Sequence, residues 1–153
     1  MIKVHKAVNA DSRSANSEFN EENLLKDTKS HINDVSKGMD FIADQLMSRG
    51  EKHDHTKVKN MSQFYEALKS GKIKDSFWYQ MHITEERHHL KSNAPDDVNL
   101  IDVIEHIVDC TMAGMTRSGT VYDVDLPADL LLTAVANTVE MLKNNIEVIE
   151  SDK

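Results

Sequence analysis

The sequence predicts an all-α protein, a compact single-domain helical bundle of about five to six helices. Aromatic residues make up only 5% of the 153 residues, and the chain has 5 Gly and 2 Pro, so few residues favour strands or break helices. A chain of this length fits one domain and can bury a core. We expect residues 20–153 to form that domain and residues 1–19, which include a polar run, to be a flexible or extended N-terminal arm.

The first helix is predicted to run from about Asn20, which can cap it, to Gly50, which suits its end. Apolar residues recur along it at spacings of three and four and predict one buried stripe: Val35, Met39, Ile42 and Leu46. His31 lies four residues before Val35, so it continues this stripe. We therefore expect the imidazole of His31 to face inward.

Four further helices follow from periodicity and breaker residues. The second helix is predicted to begin at Asp54 or Thr56 and to end at Ser70-Gly71, and the third to cover residues 75–92. The fourth is predicted to run from Asn99 to Asp109 and beyond. The last begins at Leu126-Pro127 and includes Ile146 and Ile149. The last helix has enough apolar surface to support a homo-oligomer.

The charge of the chain narrows the partners that we expect. A formal net charge of -8 disfavours nonspecific binding to nucleic acid or to an anionic membrane. The sequence has no run of about 18 apolar residues, and its single cysteine, Cys110, cannot form an internal disulfide. We expect a soluble protein in a reducing cytoplasm.

The stretch His53-Asp54-His55-Thr56-Lys57 places an imidazole beside a carboxylate, the ligand types that suit zinc, iron, manganese and similar ions. Two residues cannot complete a coordination shell, so other ligands must come from elsewhere. Asp109 borders the apolar stripe of its helix, where a carboxylate needs a partner.

Histidines cluster again on the predicted third helix. Trp78, His82, Glu86 and His89 follow one another at steps of four, four and three, so their directions agree within roughly 80° on a helical period. His88 points about 100° away from His89, so both can act together only if the helix bends or ends nearby. Helical phase favours His89.

The order His31, His53-Asp54, His82, His88-His89 and Asp109 resembles the HD-domain superfamily of metal-dependent phosphohydrolases. The stretch HDHTK is similar to the HDxxK form of that superfamily, and the likeness covers roughly residues 25–117. The nearest resemblance is to a small, functionally uncharacterised HD-like family of phages and bacteria, which implies the cytoplasm of a bacterium or of a phage-infected host.

The resemblance implies two divalent metal ions, with Mn, Fe, Mg, Co, Ni and Zn all open. His31, His53, Asp54 and Asp109 would hold one ion, and Asp54 would bridge to a second ion held by His82 and by His89 or His88. Lys57 and Arg117 are the candidates for binding phosphate. Glu86 would orient His82 or act as an acid.

The function that these roles imply is hydrolysis of a nucleotide or another small phosphate ester through a metal-bound hydroxide, with Asp54, Lys57 and Glu86 in the catalytic set. Two alternatives stay open. One is an HD-type di-iron oxygenase, since HD-like scaffolds host that chemistry too. The other is a non-catalytic helical protein that binds a metal or a nucleotide.

Overall fold

The computed structural model describes residues 1–6 and 20–150, and most of them are helical. The helices are α1 (Glu21–Lys52), α2 (His55–Lys59), α3 (Met61–Lys69), α4 (Phe77–Glu85), α5 (Leu100–Ser118) and α6 (Ala128–Asn144), with a 3-10 turn at Ile73–Asp75. The prediction that the protein is mostly helical is confirmed. No helix in the described ranges is long and apolar enough to cross a membrane. Most of the predicted N-terminal arm, residues 7–19, lies outside the described residues.

The chain divides into two compact units, one formed by Met1–Asp44 with Glu140–Lys153 and the other by Gln45–Val139. The first unit contains two short parallel strands, β1 (Ile2–His5) and β2 (Ile146–Ile149). The expectation that Ile146 and Ile149 continue the last helix is therefore wrong. The segment Ile-Glu-Val-Ile is rich in β-branched residues, which favour an extended backbone once a partner strand is present. A single domain over residues 20–153 stays a prediction.

Helix α1 begins where the sequence predicts, since Asn23 N donates a hydrogen bond to Asn20 Oδ1 at 2.9 Å. It runs two residues past Gly50, to Lys52, and none of its side chains is buried. His31 is exposed, and Val35 and Met39 are 51% and 64% exposed. The expected inward orientation of His31 is thus wrong, because periodicity identifies the apolar face of a helix but not whether anything covers it.

Helix α4 is shorter than the helix predicted over residues 75–92. Ser76 caps its start by accepting a hydrogen bond from Tyr79 N at 3.1 Å, and the helix ends at Glu85. Glu86 is extended, with φ -91° and ψ 105°. His88 and His89 therefore lie in a non-helical turn, and helical phase does not decide between them.

Helix α5 contributes to the core of the second unit. Asn99 and Asp102 form a reciprocal capping box at its start, and Leu100 N donates to Thr138 Oγ1 of α6 at 2.9 Å. The buried apolar cluster consists of Leu90, Val98, Val103 and Ala134, with Leu100, Leu126 and Leu130 packed against it. This packing fixes the helix that bears the carboxylates described next.

Candidate metal centre

The His-Asp pair lies in the tight turn between α1 and α2. Asp54 has φ 56° and ψ 23°, and it is the one non-glycine residue with positive φ in the described ranges. Aspartate tolerates this left-handed conformation better than most residues, and such positions concentrate at functional sites. The turn brings the side chains of His53 and Asp54 to the same side, although they are neighbours in sequence.

One oxygen of Asp54 faces a first group of donor atoms. Oδ2 of Asp54 and Oδ1 of Asp109 each lie 3.5 Å from Nε2 of His53. The three residues come from the α1–α2 turn and from the middle of α5. Together they offer one imidazole nitrogen and two carboxylate oxygens.

The other oxygen of Asp54 faces a second group. Its Oδ1 lies 3.5 Å from Nε2 of His82 and 3.8 Å from Nε2 of His88. Nε2 of His89 is 2.8 Å from Nε2 of His82. The sequence left His88 and His89 as alternatives, and the structure brings both of them to this group. A ligand atom of each, with one of Asp54, lies within 4.8 Å of the others.

These separations fit the coordination of divalent ions. Two ligand atoms about 2.1 Å from one ion lie about 3.0–3.4 Å apart at octahedral or tetrahedral angles. The observed distances of 2.8 to 3.8 Å bracket that range. Asp54 Oδ1 and Nε2 of His88 are buried and make no hydrogen bond. Buried polar atoms without partners are rare, and a cation would satisfy those that face one another.

One oxygen of Glu105 lies close to the Nδ1 atoms of two of these imidazoles, on the side away from Asp54. His53 Nδ1 lies 3.0 Å from Glu105 Oε1, and His88 Nδ1 lies 3.2 Å from the same atom. Because a carboxylate only accepts, the proton of His53 Nδ1 is directed to Glu105, and Nε2 is turned towards Asp54. A metal-binding histidine is commonly oriented in this way.

His82 is oriented by a second buried chain of hydrogen bonds. Thr56 Oγ1 donates to Glu86 Oε1 at 2.6 Å, so it accepts from His82 Nδ1, also at 2.6 Å. The backbone N–H of Thr56 donates to the same Glu86 oxygen at 2.8 Å. This leaves Nε2 of His82 unprotonated, with its lone pair facing Nε2 of His89 and Oδ1 of Asp54. Glu86 thus reaches His82 through Thr56, and not directly.

The electrostatics differ between the two groups. The hydrogen bonds with Asp109 and then with Glu105 raise the pKa of His53 to about 10. Burial lowers the pKa of His82, and burial followed by the neighbouring His88 and His82 lowers the pKa of His89 to about 4. At neutral pH His82 and His89 are therefore neutral, as metal ligands must be.

The carboxylates of the first group favour a cation beside them. The hydrogen bond from His53 lowers the pKa of Asp109 to about 2. Burial alone raises the pKa of Glu105, but contact with His53 and His88 outweighs it and lowers the value to about 2. The carboxylates around His53 therefore favour a positive charge beside them, which a proton on His53 or a bound cation could supply.

Two arginines fasten the segments that carry the histidines to α5. Arg87, which precedes His88, donates two hydrogen bonds of 2.8 Å to the fully buried carboxylate of Asp102. Arg49, which lies one turn before His53, reaches Asp102 at 3.2 Å and Glu105 at 3.6 Å. The buried carboxylates of α5 therefore hold in place both segments that carry the histidines, the one before His53 and the one before His88.

The other predicted site residues lie at different distances from these donor groups. The ammonium group of Lys57 contacts Asp54 Oδ2. Arg117 is exposed in the last turn of α5, about 12 Å along the helix axis from Asp109. His31 lies in the first unit with an exposed side chain, and its role as a ligand stays a prediction. His55 is exposed with Nδ1 at 3.0 Å from Glu86.

Sequence reasoning did not assign roles to Glu105, Asp102, Thr56 and Arg49. A signal for the acids was present, since Asp102, Glu105 and Asp109 follow one another at steps of three and four on an otherwise apolar helix. A stripe of carboxylates in that position needs cationic partners. Thr56 and Arg49 gave no comparable signal, because their partners are distant in sequence.

Comparison with known proteins gives no identification: no protein-family model, no curated protein and no solved structure matches this chain.

Proposed function

We propose that this chain is a metal-dependent phosphohydrolase that acts on a small phosphate ester. The observation that carries the proposal is the position of Asp54, whose two oxygens face two separate groups of donor atoms. A carboxylate in that position can bridge two ions. The resemblance of HDHTK to the HDxxK form agrees with this role.

The donor set fits imidazole-binding divalent ions such as Mn, Fe, Co, Ni or Zn. His53, Asp54 and Asp109 would hold one ion, and Asp54 with His82, His88 and His89 would hold the other. Two such ions, when bound, would supply Lewis acidity and lower the pKa of a water molecule for attack at neutral pH. Glu105 and Thr56 keep the imidazoles of His53 and His82 turned with Nε2 towards Asp54, and His53 would release its Nε2 proton when an ion binds.

Lys57 is the residue that we assign to the phosphate. Its ammonium group is partly exposed and already adjoins Asp54. An ammonium is a compact point charge that binds phosphate oxygens but does not bind metal cations. With the carboxylates neutralised by ions, Lys57 is free to hold a phosphate oxygen beside Asp54.

The first test is metal analysis of protein purified without added metal, followed by a screen of phosphorylated metabolites for phosphate release. We expect up to two ions per chain and release of phosphate from at least one ester. Protein that never exceeds one ion contradicts the two-ion arrangement. Protein that holds iron, consumes oxygen and releases no phosphate is the di-iron oxygenase instead.

Variants of Asp54 and Lys57 separate metal binding from turnover. Asp54→Ala should lose one ion and most activity, on the order of 1,000-fold, because loss of an orienting partner alone costs about 10–100-fold. Lys57→Gln should keep both ions and lose turnover. Asp96→Ala, an exposed aspartate of the same unit, is the matched control and should change neither. Full metal content and full activity in Asp54→Ala would refute the mechanism.

A further inference from the structure

A groove opens directly beside the first group of donor atoms. It has a volume of about 350 Å³, and its polar wall includes His53 and Asp109. The remaining wall is apolar and is formed by Leu46, Gly50, Ile104, Val108 and Met112. The groove lies wholly within the second unit, and a molecule whose phosphate sits at His53 and Asp109 would place its organic part here.

The charged groups of the groove are already engaged with one another. Arg49 reaches Asp102 and Glu105, and His53 is held between Glu105 and Asp109. The described residues that line the groove include no Ser, Thr, Asn or Gln and no Phe, Tyr or Trp. Among the described residues, the groove lining therefore has no unengaged polar side chain to read the edge of a nucleobase and no aromatic face on which a base can stack.

We propose that this groove binds an aliphatic chain, so that the substrate is a phosphate ester of an aliphatic alcohol and not a base-specific nucleotide. The inference rests on the proposed phosphohydrolase function. In the reaction, water adds to phosphorus, the ester P–O bond breaks, and the departing alkoxide takes a proton and leaves as the alcohol. The chain stays against Ile104, Val108 and Met112 while the phosphate lies at the metal centre.

The test is a series of ethyl, butyl, hexyl and octyl phosphates, compared with adenosine and thymidine monophosphates. Burying one methylene fully contributes about 0.8 kcal/mol, which is about fourfold in kcat/KM. Burial in this groove is partial, because its apolar residues Ile104, Val108 and Met112 are themselves partly exposed. We expect kcat/KM to rise about two- to fourfold per methylene until the groove is filled. The matching alkylphosphonates, which cannot be hydrolysed, give the same series as binding constants by calorimetry.

Two isoleucines of α5 make a matched pair of variants. Ile104 lines the groove and is 39% exposed, whereas Ile107 lies outside it and is 43% exposed. Ile104→Ser should reduce the ratio of hexyl to ethyl kcat/KM at least about fivefold, and Ile107→Ser should leave the ratio unchanged. Val108→Ser gives a second groove variant.

The outcomes separate this proposal from the proposed function. Phosphate release without dependence on chain length, or with a preference for nucleotides, overturns the aliphatic groove and leaves the phosphohydrolase in place. Chain-length-dependent binding of phosphonates without any hydrolysis supports the groove and overturns the phosphohydrolase. If Ile104→Ser changes the sedimentation mass while chain length has no effect, the groove is a contact between copies of the chain and the proposal fails.

Discussion

Glu105 shows how one residue can serve both groups of donor atoms. Its Oε1 lies at 3.0 Å and 3.2 Å from the Nδ1 atoms of His53 and His88, and its side chain is held by Arg49. His53 belongs to the first group and His88 to the second. A change at Glu105 should therefore affect both proposed ion positions, although we assign Glu105 to orienting the imidazoles and not to binding either ion.

We expect Glu105→Gln to bind two ions but with affinities about 10–100-fold lower at both positions. The amide keeps the size of the side chain, but it has one accepting oxygen without full charge, so both imidazoles are held less well. Calorimetry with Mn²⁺ on chelator-stripped protein measures this change.

The control for that prediction is Glu140→Gln. Glu140 pairs with Lys143 at 3.2 Å on an exposed helix surface, so its neutralisation should leave Mn²⁺ affinity unchanged. Loss of affinity at only one position would show that Glu105 orients a single histidine. No loss at either position would contradict the orienting role altogether.

At the level of elements, α5 must approach the loop that follows it very closely. A Cβ on Gly114 would lie 2.3 Å from the carbonyl oxygen of Thr120 and 2.6 Å from the nitrogen of Tyr122. The same loop is tied back to the helix by the hydrogen bond from Tyr122 N to Cys110 O, 3.2 Å long. Backbone atoms cannot move aside as a flexible side chain can, so glycine is required here.

We expect Gly114→Ala to lower the free energy of unfolding by about 1–3 kcal/mol, the cost of overpacking a rigid contact. Gly50→Ala is the matched control, because a Cβ there meets nothing within 4 Å and Gly50 also lies in a helix. The control should be neutral or more stable by up to about 1 kcal/mol. Urea denaturation measures both, and equal stability of the two variants would contradict the close contact.

For the whole molecule, the proposed ions connect segments that are far apart in sequence. The donors come from the α1–α2 turn, from α4, from the turn at His88-His89 and from α5, all within the second unit. A ligand that binds only the folded state stabilises it by mass action. Metal binding should therefore stabilise residues 45–139 as a cooperative unit.

We expect removal of the ions by a chelator to lower the unfolding free energy of this unit by about 2.7 kcal/mol per site, relative to protein with free metal at about 100 times Kd. Hydrogen exchange followed by mass spectrometry should show the lost protection in α2, α4 and α5. In the Asp109→Asn variant, which has a weaker proposed ligand, the chelator should change the unfolding free energy and the hydrogen exchange less. Identical exchange with and without metal would contradict the proposed centre.

The sequence alone predicted the parts that depend on local chemistry. Helical periodicity predicted α1, α5 and most of α6, and residue type identified His53, Asp54, His82, His88-His89 and Asp109 as possible donors. The helices could be predicted because the period of a helix is a property of a short stretch. The donor atoms likewise follow from residue type alone, and that these residues bind a metal stays a prediction.

The tertiary structure decided what depends on distant partners. Helix α4 ends at Glu85 because Glu86 and Arg87 bind Thr56 and Asp102, and that end brings His88 and His89 to Asp54 together. Strand β2 forms because β1 is present to pair with it, whereas the local pattern favoured a helix. Burial and hydrogen bonding are set by whatever lies opposite a residue, and for these segments the opposite residue is many positions away in the chain.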